Sequence, residues 1–168
     1  MEYWDLYDAQ ARPLGIRVPK HAPLAPNQYH LAVEIWMLDG AGRVLLQQRS
    51  RACELLPGLW GLTTGRLVAG ETPAQGCARE LEEELGLAVP PEDFRHVRRI
   101  LRNDGSQLIW DVFFLERRAD PAALTLQAEE VERVAWVDRA GFLALLNQGR
   151  IFRYPEIEEF LALALGPA

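Results

Sequence analysis

The segment from Gly65 to Leu87 reads GRLVAGETPAQGCARELEEELGL, and it confines this part of the chain to one local fold. Thr72 suits a helix N-cap, Pro73 the first helical position, and Gln75 completes a capping-box pattern. Gly86 is a natural stop. Ala74, Ala78, Leu81 and Leu85 recur at helical spacing and are expected to face the core. Gly76 costs about 1 kcal/mol of helix propensity against alanine. The same segment packs four acidic residues into the five positions Glu80 to Glu84. Such crowding adds nothing to a helix, because like charges three and four apart repel. It makes sense if a divalent cation sits among the carboxylates, since hard cations such as Mg²⁺ take carboxylate and phosphate oxygens as ligands.

The rest of the chain is compatible with that chemistry. A length of 168 residues allows one domain with a proper core. The net charge of −6 argues against a nucleic-acid polymer as partner. It leaves a small phosphorylated substrate open, because a bound metal reverses the local sign. Two cysteines, Cys53 and Cys77, exclude a cysteine zinc site and speak against a secreted disulfide framework. The start MEYWDLYDAQ lacks signal-peptide features, and no apolar run approaches a membrane span. The expectation is a cytoplasmic protein with no membrane partner. Self-association as a homodimer stays open.

YWDLYD and PLGIRV flank a short turn and are expected to pair as a hairpin. HAPLAPNQ reads as a loop. HLAVEIWML and RVLLQQR read as strands joined by a turn at Asp39, Gly40 and Gly42. FRHVRRIL, QLIWDVFFL and VERVAWV follow as strands, and RAGFLALLNQ and PEIEEFLALAL as amphipathic helices. The order predicts a single layered α/β (α+β) domain over 1–168. Residues 1–28 form its N-terminal hairpin and loop, 65–87 its loop and central helix, and 138–168 its C-terminal helices.

Residues three and four apart share a helix face. Glu80, Glu83 and Glu84 are therefore expected to project together, with Glu82 left to solvent. Glu80 and Glu84 are separated by roughly 6 Å of axial rise, a span that one or two metal ions can bridge. Arg79 could pair with Glu71 or with a helix glutamate and hold that carboxylate in place. Gly65 and Gly70 bracket the preceding loop and allow a tight or left-handed backbone. A metal among these glutamates would neutralise a diphosphate and acidify a water, and a further carboxylate could take its proton.

These residues resemble the Nudix hydrolase signature: glycine, five residues, glutamate, seven residues, Arg-Glu, an aliphatic residue, any residue, Glu-Glu, any residue, glycine, aliphatic. Every fixed position is met by Gly65, Glu71, Arg79, Glu80, Leu81, Glu83, Glu84, Gly86 and Leu87. Looser similarity runs from about His30 to about Leu146. The resemblance implies a mixed β-sheet sandwiched between α-helices. It implies Mg²⁺-dependent cleavage of a diphosphate bond in a small organic molecule, with Mn²⁺ as the alternative ion. It also implies Glu80, Glu83 and Glu84 as metal ligands, and Glu71 as their support through Arg79 or water. WDLYDAQARPLGI, YHLAVEIWM, LLQQRS and PGLW resemble the branch similar to isopentenyl-diphosphate isomerases. Those isomerases carry a Cys-Gly-His run where this chain has Thr64-Gly65-Arg66. Threonine cannot replace a thiol at an allylic carbon, and arginine cannot ligate a metal. Hydrolysis of a nucleotide-derived diphosphate is therefore the leading expectation. Isomerisation of prenyl diphosphates and a non-catalytic binding module of the same fold are the alternatives.

Other candidates lie outside the signature. Arg49 and Arg51 flank Ser50 and could clamp phosphate, as could Arg66. Glu130 precedes a strand; the resemblance implies an additional carboxylate from a loop outside the signature, and Glu130 is the candidate base. His30 resembles a metal-site histidine of the isomerases, but without its second histidine it reads as a structural or pocket-edge residue. Trp60 and Trp136 read as core, and Cys77 as a buried small residue of the helix.

Overall fold

The computed structural model describes residues 2–102 and 104–166. An N-terminal hairpin of β1 (Tyr3–Tyr7) and β2 (Pro13–Pro19) stands apart from the main sheet. It is tied to that sheet where Tyr7 and Tyr29 exchange backbone hydrogen bonds. The main sheet has seven strands among the described residues: β3 (His30–Leu38), β4 (Arg43–Arg49), β5 (Trp60–Gly61), β6 (Thr63–Arg66), β7 (Arg95–Leu101), β8 (Leu108–Glu116) and β9 (Val131–Asp138). β3 is its spine. It runs parallel to β8 along its whole length and antiparallel to β6 over Ala32–Ile35. β4 turns back from the end of β3 and is flanked by β5 and β9, both antiparallel to it. The sheet is therefore mixed, as expected.

Side chains alternate across a strand, so β3 supplies two cores. Leu31, Val33, Ile35 and Met37 meet Cys77, Leu81 and Leu85 of α1 (Pro73–Leu85) on one face. Trp36 and Leu38 meet Phe142 and Leu146 of α2 (Arg139–Asn147), and Phe160 and Leu161 of α3 (Ile157–Leu165), on the other. The result is a sheet between helices. Each apolar stripe of α1, α2 and α3 is consumed by one face of it, with fully buried leucines and phenylalanines worth roughly 2 kcal/mol or more apiece.

The local punctuation of α1 is realised. Thr72 accepts from the Gln75 N–H, and the Gln75 side chain accepts from the Thr72 N–H. Gly86 closes the helix in the left-handed region at φ 64°, where Thr125 packs against it and would leave no room for a Cβ. Gly76 sits against Leu67, so its cost in helix propensity admits a close crossing of the loop that leads into α1. Trp60 is core, whereas Trp136 is only half-buried, its indole N–H donating to the Ala119 carbonyl. No helix among the described residues is long and apolar enough to cross a membrane.

Candidate active site

Helical geometry sorts the glutamates of α1 differently from the expected common front. Glu80 and Glu84 are 9% and 6% exposed, inside the edge of the α1–sheet interface, while Glu83 is 54% exposed at its side chain and Glu82 faces solvent. Successive helical residues are 100° apart, because 3.6 residues complete a turn. Once Leu81 and Leu85 are fixed on the core, Glu84 is carried inward with them and Glu83 swings out. The turns after the short 3₁₀ helix Pro121–Ala123 reinforce this, since the Thr125 and Gln127 N–H groups donate to the carbonyls of Leu85 and Glu84.

Glu80 owes its place to Gly65. A Cβ built on Gly65 would lie 1.9 Å from the Glu80 carboxyl carbon and from its Oε1. The carboxylate thus rests directly on the β6 backbone. Gly70 has the left-handed backbone expected of the loop, at φ 92°, whereas Gly65 is needed for this contact.

Arg79 organises the other carboxylates. Its Nε and Nη2 donate to the two oxygens of Glu71 at 2.6 and 3.1 Å. Its Nη1 donates to Glu80 Oε1 at 2.8 Å and to Glu83 Oε2 at 3.0 Å. Nη2 also reaches the Arg66 carbonyl at 3.0 Å. The alternatives left open for Arg79 are thereby both realised. Glu71 accepts in addition from the Val68 N–H, which fixes it in the loop before α1. Burial opposes the charge on Arg79, but Glu71 and Glu80 outweigh it and hold its pKa above the usual value.

The buried pair is poorly compensated. Burial raises Glu80 from 4.5 to about 7, with Arg79 partly offsetting it. Burial raises Glu84 to about 8, offset in part by a hydrogen bond from Gln47 and aggravated by Glu80 and Glu130. Two carboxylates in surroundings that disfavour their charge are suited to a cation, which restores the ionised form. Their oxygen-only chemistry fits a hard divalent ion. Among the described residues no three His, Cys, Asp or Glu side chains form a ready-made cage. The three glutamates expected as ligands are thus not gathered into one set; Mg²⁺ is commonly held by one or two carboxylates and completed by substrate phosphates and water.

The outlying candidates divide. Glu130 lies 3.7 Å from Arg49, and both act electrostatically on Glu84, so loop and helix converge here. Arg49 also donates to the Leu55 carbonyl. Arg51 points away; its side chain is 88% exposed and 3.9 Å from Glu132. Arg66 follows Gly65 on the strand, so its side chain takes the opposite face, where its guanidinium lies over the Trp4 ring at 5.2 Å. It makes no ion pair with a described residue, and burial lowers its pKa. His30 is buried edge-on to Trp4 and drops to about 4, first by burial and then by Arg66 and His21, so it is neutral at ordinary pH.

The structure adds residues that the spacing of the chain leaves unmarked. Gln47 Nε2 donates to Glu84 Oε2 at 2.6 Å, and Thr63 Oγ1 donates to Gln47 Oε1 at 2.9 Å. A polar side chain continuing the apolar run Val44-Leu45-Leu46 is the signal that a buried partner had to exist. Asp111, within LIWDVFFL, is likewise buried and takes two hydrogen bonds from Arg99 and one contact from His96. Glu34, within HLAVEIWML, accepts from Trp36 and Tyr154 on the opposite face of the sheet.

The NUDIX domain model matches residues 28–160 of this chain. An uncharacterized Nudix hydrolase, lin0387, of Listeria innocua serovar 6a is 32% identical over 158 residues, covering 92% of this chain and 90% of that protein. Among solved structures, DR0079 of Deinococcus radiodurans superposes with a TM-score of 0.76 at 16% identity, covering 97% of this chain and 99% of that one. A bifunctional NMN adenylyltransferase/ADP ribose pyrophosphatase of Francisella tularensis, complexed with AMP and a manganese ion, gives 0.64 at 22% identity, over 84% of this chain and 42% of that one. These two likenesses concern the fold.

Proposed function

We propose that this chain, which belongs to the NUDIX domain family, hydrolyses a diphosphate bond in a small nucleotide-derived molecule with the help of Mg²⁺. Its family makes it a Nudix-type hydrolase. The finer reading rests chiefly on one observation: Glu80 and Glu84 are buried together with one guanidinium near them, and that guanidinium is shared among Glu71, Glu80 and Glu83.

Glu80 and Glu84 would hold the cation, and Glu83 would join them from the solvent side. The cation, when bound, supplies positive charge opposite the phosphate oxygens and acidifies the attacking water. Arg79 keeps Glu71, Glu80 and Glu83 at fixed separations, so less rearrangement is needed when substrate arrives. Glu130 would accept a proton at its carboxylate, and Arg49, 3.7 Å from it, would meet a phosphate oxygen. Arg66 offers a second, uncompensated cation from the other face of β6. Arg51, 88% exposed and 3.9 Å from Glu132, is left out of the substrate contacts. The protein that gives the Francisella structure is named for ADP ribose and holds AMP, which puts nucleotide diphosphates first among the compounds to try. Manganese in that structure supports Mn²⁺ as the alternative ion.

The likeness to the isomerase-like branch bears on scaffold ancestry. Thr64 has no thiol, and Arg66 places a cation next to His30 where a second histidine would stand. A purely binding role is disfavoured by a signature complete at every position.

The test is a product screen with Mg²⁺ over nucleoside di- and triphosphates, nucleotide sugars, ADP-ribose, dinucleoside polyphosphates and prenyl diphosphates. Cleavage of at least one nucleotide compound is expected. Glu84→Gln and Glu83→Gln are expected to lower its turnover by on the order of 10²-fold or more, if each contributes electrostatic stabilisation on the usual scale. Wild-type turnover in both variants at saturating Mg²⁺ would remove the assignment of these residues.

A further inference from the structure

Glu84 is a carboxylate with one oxygen already taken. Gln47 Nε2 lies 2.6 Å from Glu84 Oε2, and the other end of that amide accepts from Thr63 Oγ1 at 2.9 Å. All three side chains are buried, at 3% for Gln47, and 6% each for Thr63 and Glu84. The direction of the chain is set by chemistry. With a cation bound Glu84 is ionised and can only accept, so the amide then turns its N–H₂ toward Glu84, as the structure has it. Its carbonyl then needs a donor, and the Thr63 hydroxyl is the donor present.

The frame behind the amide is stiff. Gln47 is paired across the sheet with Gly61 of β5 on one side and with Val134 of β9 on the other. Thr63 is paired with Ile35 of the central strand. Gln47 is thus carried on a strand paired on both sides, and Thr63 on one paired with the central strand.

We propose that Gln47, oriented by Thr63, is a positioning residue of the metal site. It engages Oε2 of Glu84 and so presents Oε1 to the divalent cation. The inference rests on Glu84 being a metal ligand, as proposed above. Outer partners that orient a ligand in this way commonly change metal affinity by about 10–100-fold when removed. A bond serving only to satisfy buried polar groups would instead show in stability and leave the ion's affinity unchanged.

The two roles separate in the variants Gln47→Met, Thr63→Val and Thr63→Ser. The readouts are the Mn²⁺ dissociation constant by titration without substrate, the melting temperature in chelator, and turnover as a function of metal concentration. Gln47→Met is expected to weaken Mn²⁺ binding about tenfold. Thr63→Val should weaken it in the same direction but less, and Thr63→Ser should stay near wild type because the hydroxyl remains. Turnover lost in Gln47→Met should return as metal is raised. The Thr63 pair carries the test if Gln47→Met does not fold. Mn²⁺ binding at wild-type affinity in both Gln47→Met and Thr63→Val overturns the inference, whatever their melting temperatures. A wild-type protein that binds no Mn²⁺, with Glu84→Gln as active as wild type, overturns the metal reading itself and this inference with it.

Discussion

At Gly65 the absence of a side chain is what holds the site together. The Glu80 carboxyl occupies the space that a Cβ would take, at 1.9 Å, and Arg79 holds it there. Gly65→Ala must therefore displace the end of Glu80, a flexible group, with little effect on the β6 backbone. The expected outcome is a folded protein, destabilised by about 1–3 kcal/mol as overpacked sites usually are. Turnover should fall by on the order of 10²-fold, the usual consequence of misplacing a catalytic group by about an ångström. Thermal melting and steady-state rates measured side by side check this, and a variant with wild-type turnover would show that the position of Glu80 does not matter. The requirement for glycine was legible in the signature spacing, but its reason was not. A tight or left-handed backbone was the expectation, and only the approach of a helix 15 residues later reveals a steric reason.

At the scale of elements, α1 is specified almost entirely by neighbours in sequence. The Thr72–Gln75 capping box, Pro73 in the first turn and Gly86 at the end act within one or two turns. Thr72→Ala is expected to cost about 1 kcal/mol through loss of the cap. In a chain of this size that lowers the melting temperature by about 2–4 °C. Turnover at 25 °C should stay within about twofold, since the catalytic candidates on α1 lie about two turns or more further on. Calorimetry and rate assays decide it; a large loss of turnover with little loss of stability would mean that the cap shapes the site. Most strands were readable for the same local reason, through β-branched and aromatic runs ending in turn residues, but β5 and β6 were not: Trp60–Gly61 and Thr63–Arg66 are short, and Gly65 and Arg66 stand where a loop was expected. Their order in the sheet was not readable. β3 lies between β6 and β8, which are distant in sequence, and no local pattern encodes such pairing.

For the whole molecule, the distribution of buried acids sets a pH response. Glu34 lies on the α2–α3 face and is raised to about 7 by burial, against the help of Tyr154 and Trp36. Glu80 and Glu84, on the α1 face, are raised to about 7 and about 8. In each case the folded protein holds its proton above the unfolded value of 4.5, so folding is favoured by protonation. The contribution is full below about pH 4.5 and is lost as pH rises through about 7 to 8. The acids lowered by partners, Asp5 and Asp39 among them, act in the opposite sense, but only below their ordinary 3.8. His30, neutral in the fold down to about 4, opposes this trend up to its ordinary 6.5 but stands against three acids, so the melting temperature in chelator is expected to fall between pH 5 and pH 8. Mg²⁺ should restore stability at pH 8 through Glu80 and Glu84, and Glu34→Gln should flatten the decline near pH 7. A melting temperature that rises across this interval in chelator would contradict the burial of these acids.

What the chain determined by itself is α1, its caps and the order of Gly65, Glu71, Arg79, Glu80, Glu83 and Glu84, because each depends on residues within a few turns of the next. Tertiary structure decided which glutamates turn inward, which arginines stand near them and what holds each carboxylate. Gln47 and Glu84 are 37 positions apart, and Arg66 parts from Gly65 only because a strand alternates its faces. Burial decides these matters: the loss of water around Glu80 and Glu84 raises their pKa values, and burial exists only once the sheet, the loop and the helix have closed on one another.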